Sequence, residues 1–403
     1  MGMAMETEEE SATEQEQEMI ELGNLSYHVV ESIFSKIPLK SLVQLKIVSK
    51  TWRNSITNIR IFYPPTTSTG LIFFLKHNSY QESIFLKLHD QPQKKLSQFC
   101  TLHSSSTHNF PYLIDSCNGL LLYASLNNEF WNYHISSPVL DQYVTLPLSH
   151  HILRPACSSL VFDGWNHEFQ IICFFWEEVD FDAQMMNCIV FSSELWNWRE
   201  SQLRILNSEL LLQDGFLRGQ CYSSSVFSGE KLYWIWSLCL LVYDSKGEFF
   251  TLFPLPRNHS GKKSRKGVYS QLLWEAAGLI QFCDPVKSGF FIWSFRGKSN
   301  NFDLWRLNHF IRLNDLINDQ DIRLSMGNSI KPCAFNKDLQ VLYLHVMPHT
   351  IVSCSFETRE FVQVWSYCHA RGEAEDCWIC KIHPFVFTSV DLLAFNKLRP
   401  LDY

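Results

Sequence analysis

The most restrictive feature of this sequence is a succession of short apolar runs that begins near residue 70 and continues past residue 360. The runs are rich in β-branched and aromatic residues, and turn-forming pairs such as Ser228-Gly229 and Lys246-Gly247 separate them. Short apolar runs joined by Gly-containing turns are typical of β-hairpins. Because no long segment of helical periodicity interrupts them, this region is predicted to be all-β.

A degenerate repeat runs through the β region. Each unit has an apolar strand, a turn, a second apolar strand, a short loop and a third strand that carries an aromatic residue. The units begin near Gly70, Ser116, Ser158, Ser223, Leu272 and Pro332. Roughly 340 residues at about 50 residues per unit predict six or seven propeller blades. A single sandwich of that size would be far too large, and radial repetition protects the strand edges.

The N-terminal segment is strongly acidic, since residues 1–21 contain eight Glu and no Lys or Arg. Its polar composition cannot build a core, so we expect this segment to be disordered. The net charge of the chain is −7, and this segment contributes −8, so the remainder is near +1. A generally basic surface for nucleic acid is therefore excluded.

Residues 22–62 have a helical pattern and are expected to form a small module of two or three helices. One helix face carries Val29, Val30, Ile33, Phe34 and Ile37, and Pro38 ends the helix. A second helical stretch carries Leu42, Leu45, Val48, Trp52 and Ile56. A module this small needs a neighbour or a partner to bury its apolar face. A turn signal at Tyr63–Pro65 separates it from the β domain, which we assign to residues 66–403.

The stretch Leu25–Arg53 resembles the F-box motif over its whole length. The resemblance is carried by the apolar helix face, by Ile37–Leu42 (Ile-Pro-Leu-Lys-Ser-Leu) and by the ending Val48–Arg53 (Val-Ser-Lys-Thr-Trp-Arg); Ser26 stands where the family usually has Pro. The resemblance implies docking to the Skp-type adaptor of cullin–RING ubiquitin ligases. The adaptor-binding residues that it implies are Leu25, Val29, Val30, Ile33, Phe34, Ile37, Pro38, Leu42, Val48, Lys50, Trp52 and Arg53.

The β region is similar to the kelch-like, F-box-associated domains of the plant F-box family. The phrases that carry this resemblance are Ser116–Tyr123, Phe227–Trp234 and Phe253–Pro256. The expected architecture is an α+β multidomain chain, with a small N-terminal helical F-box followed by an all-β, propeller-like domain. The resemblance implies a non-catalytic substrate receptor of a ubiquitin ligase, whose propeller binds an unknown protein target for ubiquitylation and proteasomal degradation.

Two other functions remain open. A propeller-based binding scaffold would use the helical module only for packing, and a metal-dependent propeller hydrolase would need His or carboxylate side chains that converge on the central channel.

The segment Arg296–Ser299 resembles the end of a phosphate-binding loop, but Ile292 stands where the first Gly is required. No cofactor is expected. One cluster contains residue types that can bind zinc, and a zinc site is the less favoured interpretation of it. Its members are Cys368, His369, Cys377, Cys380 and His383.

The cysteines and the hydropathy pattern indicate the compartment. The 13 Cys are an odd number, mostly inside apolar runs, which is typical of free thiols in a reducing environment. The longest apolar stretch, Leu232–Tyr243, is shorter than the roughly 20 residues of a membrane span, and we interpret it as two strands with a short link. The expected location is the cytoplasm or the nucleus, with no membrane partner. The basic loop Lys262–Lys266 could be a nuclear address, although a solvated loop is the simpler interpretation.

Several aromatic residues near turns are candidates for a target-binding face, because Trp and Tyr dominate interface hot spots. They are Trp131, Tyr133, Trp165, Trp196 and Trp198. Most of them are expected in blade cores, and about a third at the surface.

Overall fold

A computed structural model describes most of the β region and isolated positions of the helical module. The described residues are 29, 33, 37, 45, 48, 69–76, 81–87, 97–104, 112–127, 130–138, 142–148, 157–162, 168–180, 184–212, 225–236, 238–256, 271–286, 288–297, 304–313, 330–337, 339–346, 350–366 and 378–386. The expectations for residues 1–21, for Trp165 and for the basic loop at 262–266 lie outside this set.

The described β region consists of short strands and one short helix. The strands are β1 (Thr69–Lys76), β2 (Gln81–Lys87), β3 (Ser97–Ser104), β4 (Tyr112–Cys117), β5 (Leu120–Asn127), β6 (Phe130–Ser137), β7 (Gln142–Thr145), β8 (Cys157–Phe162), β9 (Phe169–Asp180), β10 (Met185–Ser192), β11 (Asn197–Leu206), β12 (Val226–Ser228), β13 (Lys231–Trp236), β14 (Cys239–Asp244), β15 (Phe249–Pro254), β16 (Leu272–Ala276), β17 (Leu279–Val286), β18 (Gly289–Phe295), β19 (Trp305–Arg312), β20 (Ile330–Asn336), β21 (Val341–Val346), β22 (Thr350–Ser355), β23 (Phe361–Ser366) and β24 (Trp378–Val386). The helix α1 (Glu209–Leu212) follows β11.

These strands form six antiparallel blades of four strands each. The predicted propeller is confirmed. The sequence predicts six or seven blades, and the described residues form six. Blade 1 has the order β24-β1-β2-β3, blade 2 is β4–β7, blade 3 is β8–β11, blade 4 is β12–β15, blade 5 is β16–β19 and blade 6 is β20–β23. A short parallel pairing of β11 with β15, from Arg204–Phe249 to Leu206–Thr251, joins blades 3 and 4 into one sheet.

The predicted repeat unit has three strands, whereas each blade of the structure has four. The aromatic strands that were expected to be third in their units are β7, β15 and β23, and each is the fourth and outermost strand of its blade. The sequence pattern shows one strand too few, because the third strand of a blade has the same apolar pattern as the second and follows it after a short turn.

The C-terminal strand closes the ring of blades. β24 pairs antiparallel with β1, so that Gly70 lies opposite Phe385 and Phe73 opposite Ile382. β24 also contacts β4 and β20, the innermost strands of the blades on either side. Blade 1 is thus built from both ends of the β region, and the ring holds only when residues more than 300 apart in sequence meet.

Tight turns between the first two strands recur in several blades. Asn118 and Gly119 have φ values of 45° and 88°, and Ala277 and Gly278 have values of 52° and 73°. Two successive positive φ values are the signature of a type I′ turn, whose twist matches the twist of the flanking strands. The Asn-Gly pair in the phrase Ser116–Tyr123 therefore marks a hairpin.

The hydrophobic core lies between blades rather than inside one sheet. Five clusters fill the interfaces of blades 2 with 3, 3 with 4, 4 with 5, 5 with 6 and 6 with 1. At the interface of blades 3 and 4, Phe174 contacts Trp234 edge to face at 5.7 Å and Phe250 at 5.8 Å. Edge-to-face pairs are favoured by the ring quadrupole, so these aromatics fix the angle between blades as well as fill space.

Candidate functional site

The predicted adaptor-binding face is described at four of its twelve positions. Val29 and Ile33 are helical and lie four residues apart, and their side chains are 41% and 44% exposed. Val48 is 59% exposed in a turn, where its backbone N–H donates to the carbonyl of Leu45 at 3.1 Å. Ile37 is half-buried. Residues four apart on a helix share a face, so Val29 and Ile33 present one apolar stripe to solvent.

The remaining predicted adaptor-binding residues lie outside the described part of the chain. They are Leu25, Val30, Phe34, Pro38, Leu42, Lys50, Trp52 and Arg53. Their assignment stays a prediction.

A buried carboxylate on β4 ties three blades together near the propeller centre. Asp115 Oδ1 accepts from the backbone N–H of Ser116 at 2.9 Å. Its Oδ2 accepts from the N–H of Leu160 on β8 at 3.1 Å and from the Ser225 hydroxyl, just before β12, at 2.6 Å. A buried carboxylate requires such donors, because an unsolvated charge is costly. Sequence reasoning missed this role, although a lone Asp in the apolar strand β4 was a visible signal.

A second polar network continues through blades 2, 3 and 4. The Tyr133 hydroxyl lies 2.8 Å from the Ser158 hydroxyl, and the indole N–H of Trp234 donates to Ser159 Oγ at 2.6 Å. Burial raises the pKa of Tyr133 well above its usual value, which keeps the phenol neutral and able to donate. These polar groups serve the interfaces between blades, and neighbouring side chains satisfy them.

A histidine on blade 2 contacts three hydroxyl groups. His134 Nε2 lies 3.0 Å from Ser125 Oγ, and its Nδ1 lies 2.6 Å from the Tyr143 hydroxyl and 3.1 Å from Thr145 Oγ1. Burial lowers the pKa of His134. A serine beside a histidine suggests nucleophilic catalysis, which requires a group that stabilises the imidazolium. Among the described residues, the side chains hydrogen-bonded to His134 are all hydroxyls, so this arrangement does not favour a charged intermediate.

The aromatic candidates for a target face lie mainly in the cores. Tyr133 and Trp196 are buried, and Trp131 and Trp198 are partly buried against the cluster between blades 2 and 3. Tyr133 and Trp196 are therefore core residues, as expected for most of this set. Position next to a turn does not reveal burial in a propeller, because blade ends pack on the next blade.

The zinc alternative is described only in part. Cys380 and His383 lie on β24, and His383 is fully buried. Among the described residues, no three His, Cys, Asp or Glu side chains are grouped so as to hold a metal ion. Cys368, His369 and Cys377 lie outside the described residues, so the cluster as a whole stays a hypothesis.

Eight cysteines have described side chains, all of them free thiols. Six of these eight are buried, and burial raises the pKa of Cys173, Cys188 and Cys354 to about 12. A thiol with so high a pKa is protonated near neutral pH, so these residues act as small apolar side chains.

The helices within the described ranges include none that is both apolar and long enough to cross a membrane.

Together, the ring of blades and the exposed side chains of Val29 and Ile33 define a propeller protein with an apolar stripe in its N-terminal segment. The F-box domain model matches residues 22–63, and the beta-propeller model named for F-box protein At3g26010-like proteins matches residues 65–385. The chain belongs to this family of F-box propeller proteins.

The curated relatives are F-box proteins of Arabidopsis thaliana. The chain is 29% identical to At4g21240 over 30% of its own length and 28% of that protein, and 28% identical to At5g07610 over 42% and 44%. These matches span less than half of either relative. The match to At4g09190 is 25% identical over 70% of both chains. Among solved structures, Citrobacter koseri AztD has a TM-score of 0.40 at 11% identity, over 80% of this chain and 93% of its own, a likeness too distant to indicate function.

Proposed function

We propose that this protein is the substrate-recognition subunit of an SCF-type cullin–RING ubiquitin ligase. The F-box docks a Skp-type adaptor and, through it, the cullin–RING core, while the propeller binds a protein target. The protein performs no chemistry itself. It accelerates ubiquitylation by raising the effective concentration of target lysines near the loaded conjugating enzyme.

The observation that carries this proposal is the exposure of Val29, Ile33 and Val48 within a matched F-box domain. Each large aliphatic side chain contributes about 1.5 to 3 kcal/mol when it moves from water into an apolar environment. Leaving three of them in water is unfavourable in an isolated chain. A groove of the adaptor that receives the helix would cover these three side chains, which explains why they are exposed in the chain alone.

The test compares adaptor binding by the full-length protein and by Ile33→Asp. A carboxylate at this position would be desolvated without a partner, so we expect the affinity for a purified Skp-type adaptor to fall at least about thirtyfold. Isothermal titration calorimetry measures this change directly. Val29→Asp should have a similar effect, because it lies on the same face.

The matched control is Leu195→Asp, which introduces the same charge at a 73% exposed leucine of the propeller. This variant should bind the adaptor as the unchanged protein does. If Ile33→Asp also binds with unchanged affinity, the F-box does not dock through this face, and the scaffold function becomes the better explanation.

Three finer features belong to the same proposal. The blades are kelch-like in length and in their four-stranded, antiparallel form. The protein acts in the cytoplasm or the nucleus, which the free core thiols support. The complete adaptor contact includes the predicted residues from Leu25 to Arg53 that lie outside the described set.

A further inference from the structure

The outermost strand of blade 5 has an edge that no other described strand pairs with. β19 pairs with β18 on one side and ends its sheet on the other. It spans eight residues, as the outer strand β3 does, whereas the outer strands β7 and β23 have four and six. In contrast, the outer strands β11 and β15 pair with each other. An unpaired edge offers a row of backbone N–H and C=O groups to an incoming strand.

The side chains along this edge are unusually open to solvent. Four successive residues, Arg306 to His309, are exposed, and the Leu307 side chain is 41% exposed. The register places Leu307 opposite Trp293 and Phe310 opposite Phe291, with the two phenyl rings stacked at 4.3 Å. Directly opposed residues of an antiparallel pair share a face, so Leu307 continues an aromatic surface at the blade rim.

The described residues of this edge carry positive charge. β18 and β19 contain no Asp or Glu, while Arg306 and Arg312 lie near the two ends of β19. Among the described residues neither arginine makes an ion pair, whereas Arg199 on β11 contacts Glu248 at 2.8 Å. Arg312 lies opposite Gly289, which has no side chain to cover it.

This charge pattern selects against a second copy of the same strand. Antiparallel pairing of two β19 strands about His309 would place Arg306 of each copy opposite Arg312 of the other. Like charges directly opposite each other destabilise a strand pair. A segment with carboxylates at both ends would instead form charge-assisted contacts at each arginine.

We propose that the β19 edge binds an extended acidic segment of the target protein by β-strand addition. The segment carries Asp or Glu opposite Arg306 and Arg312 and an apolar residue against Leu307. Backbone hydrogen bonds supply affinity, and the two arginines and the aromatic surface supply specificity. This inference rests on the proposed function, because it names the class of target that the receptor recognises.

The test uses the full-length protein and a fluorescent synthetic peptide with glutamates at both ends and valine and isoleucine in the middle. Arg306→Glu and Arg312→Glu should each reduce affinity at least about fivefold in fluorescence anisotropy, since each turns an attraction into a repulsion. Arg204→Glu is the matched control, because Arg204 is an exposed arginine of β11 whose edge is already paired with β15. It should change affinity less than about twofold.

A second peptide, N-methylated at alternate positions, keeps the charges but cannot form the strand ladder. We expect it not to bind. If it binds as well as the parent peptide, or if Arg204→Glu weakens binding as much as Arg306→Glu, the contact is general charge attraction and the proposal fails. Peptide binding that appears only after removal of residues 1–21 would show that the chain's own acidic segment occupies the edge, which also overturns target binding.

Adaptor binding is measured on the same preparations. A protein that binds the peptide but not the adaptor contradicts the ligase function while leaving the peptide site intact. A protein that binds the adaptor but not the peptide contradicts only the site on β19.

Discussion

Trp198 and Pro147 lie 51 residues apart and are joined by a hydrogen bond, in which the indole N–H donates to the proline carbonyl at 2.8 Å. Trp305 and Pro254 repeat this contact with the same separation and the same distance. In both pairs the tryptophan is the first or second residue of the outer strand of a blade, and the proline ends or follows the outer strand of the preceding blade. The two contacts clasp blade 2 to blade 3 and blade 4 to blade 5.

Replacing the clasp tryptophans should destabilise the propeller through the lost hydrogen bond. Trp198→Phe and Trp305→Phe keep an aromatic ring but leave the proline carbonyl without its donor. We expect each to lower the free energy of unfolding by about 0.5 to 1.5 kcal/mol, because these hydrogen bonds are partly buried or exposed. Denaturant titration followed by tryptophan fluorescence and circular dichroism measures the loss.

The control for this substitution is Trp293→Phe. Its indole nitrogen is buried and has no hydrogen-bond partner among the described residues, so phenylalanine removes no such bond there. This variant should be clearly less destabilised than either clasp variant. Equal losses in all three would mean that ring volume, and not the contact to proline, sets the cost.

The repeat was predictable from sequence because its elements are local. Five of the six predicted starting points lie at or within a few residues of the first strand of a blade, and Gly70 lies in β1, the second strand of blade 1. The pair Asn118-Gly119 forms a hairpin turn with positive φ values. Hairpin turns and apolar alternation depend on neighbouring residues, so a single sequence contains them. The two strands predicted within Leu232–Tyr243 are confirmed as parts of β13 and β14.

Contacts between distant residues were not predictable. A strand at Trp378–Cys380 is predictable from its local pattern, but its antiparallel pairing with β1 in blade 1 is not. Trp196 follows a turn signal and is nevertheless buried. Its burial depends on Phe169 and Phe191, whose rings it meets edge to face at 6.4 Å and 5.5 Å, and only the assembled blade places them there.

Asp115→Asn should be strongly destabilising. The carboxylate accepts hydrogen bonds at both oxygens, and an amide would turn an NH₂ group toward one set of donors. A buried polar group facing an unsuitable partner costs about 1 to 3 kcal/mol. Thermal unfolding should show a lower midpoint, and Ser225→Ala should show a smaller loss because the two backbone contacts remain.

A matched control is Asp244→Asn on the rim of blade 4. Asp244 Oδ1 accepts from the N–H groups of Lys246 and Gly247, and an asparagine oxygen can do the same. The change removes only the charge contact to Lys231, which is worth less than about 1 kcal/mol at a partly exposed site. A larger loss here than at Asp115 would refute the central role of the buried carboxylate.

The core thiols should resist alkylation in the folded protein. Burial raises the pKa of Cys173 and Cys188 to about 12 and excludes reagent as well. Iodoacetamide near neutral pH should modify these two residues only after unfolding, whereas half-buried Cys157 should react earlier. Peptide mass spectrometry distinguishes the sites. Rapid labelling of Cys173 in the native protein would show that blades 2 and 3 separate readily.

His134 should make stability depend on pH in the mildly acidic range. Burial lowers its pKa below the usual 6.5, so the unfolded chain takes up a proton at higher pH than the folded chain does. Stability is then complete above about pH 6.5 and falls as the pH decreases toward the lower folded pKa. His134→Gln cannot titrate and should flatten this slope in unfolding titrations between about pH 7 and 5. An identical slope in the protein and in His134→Gln would assign the pH dependence to other groups.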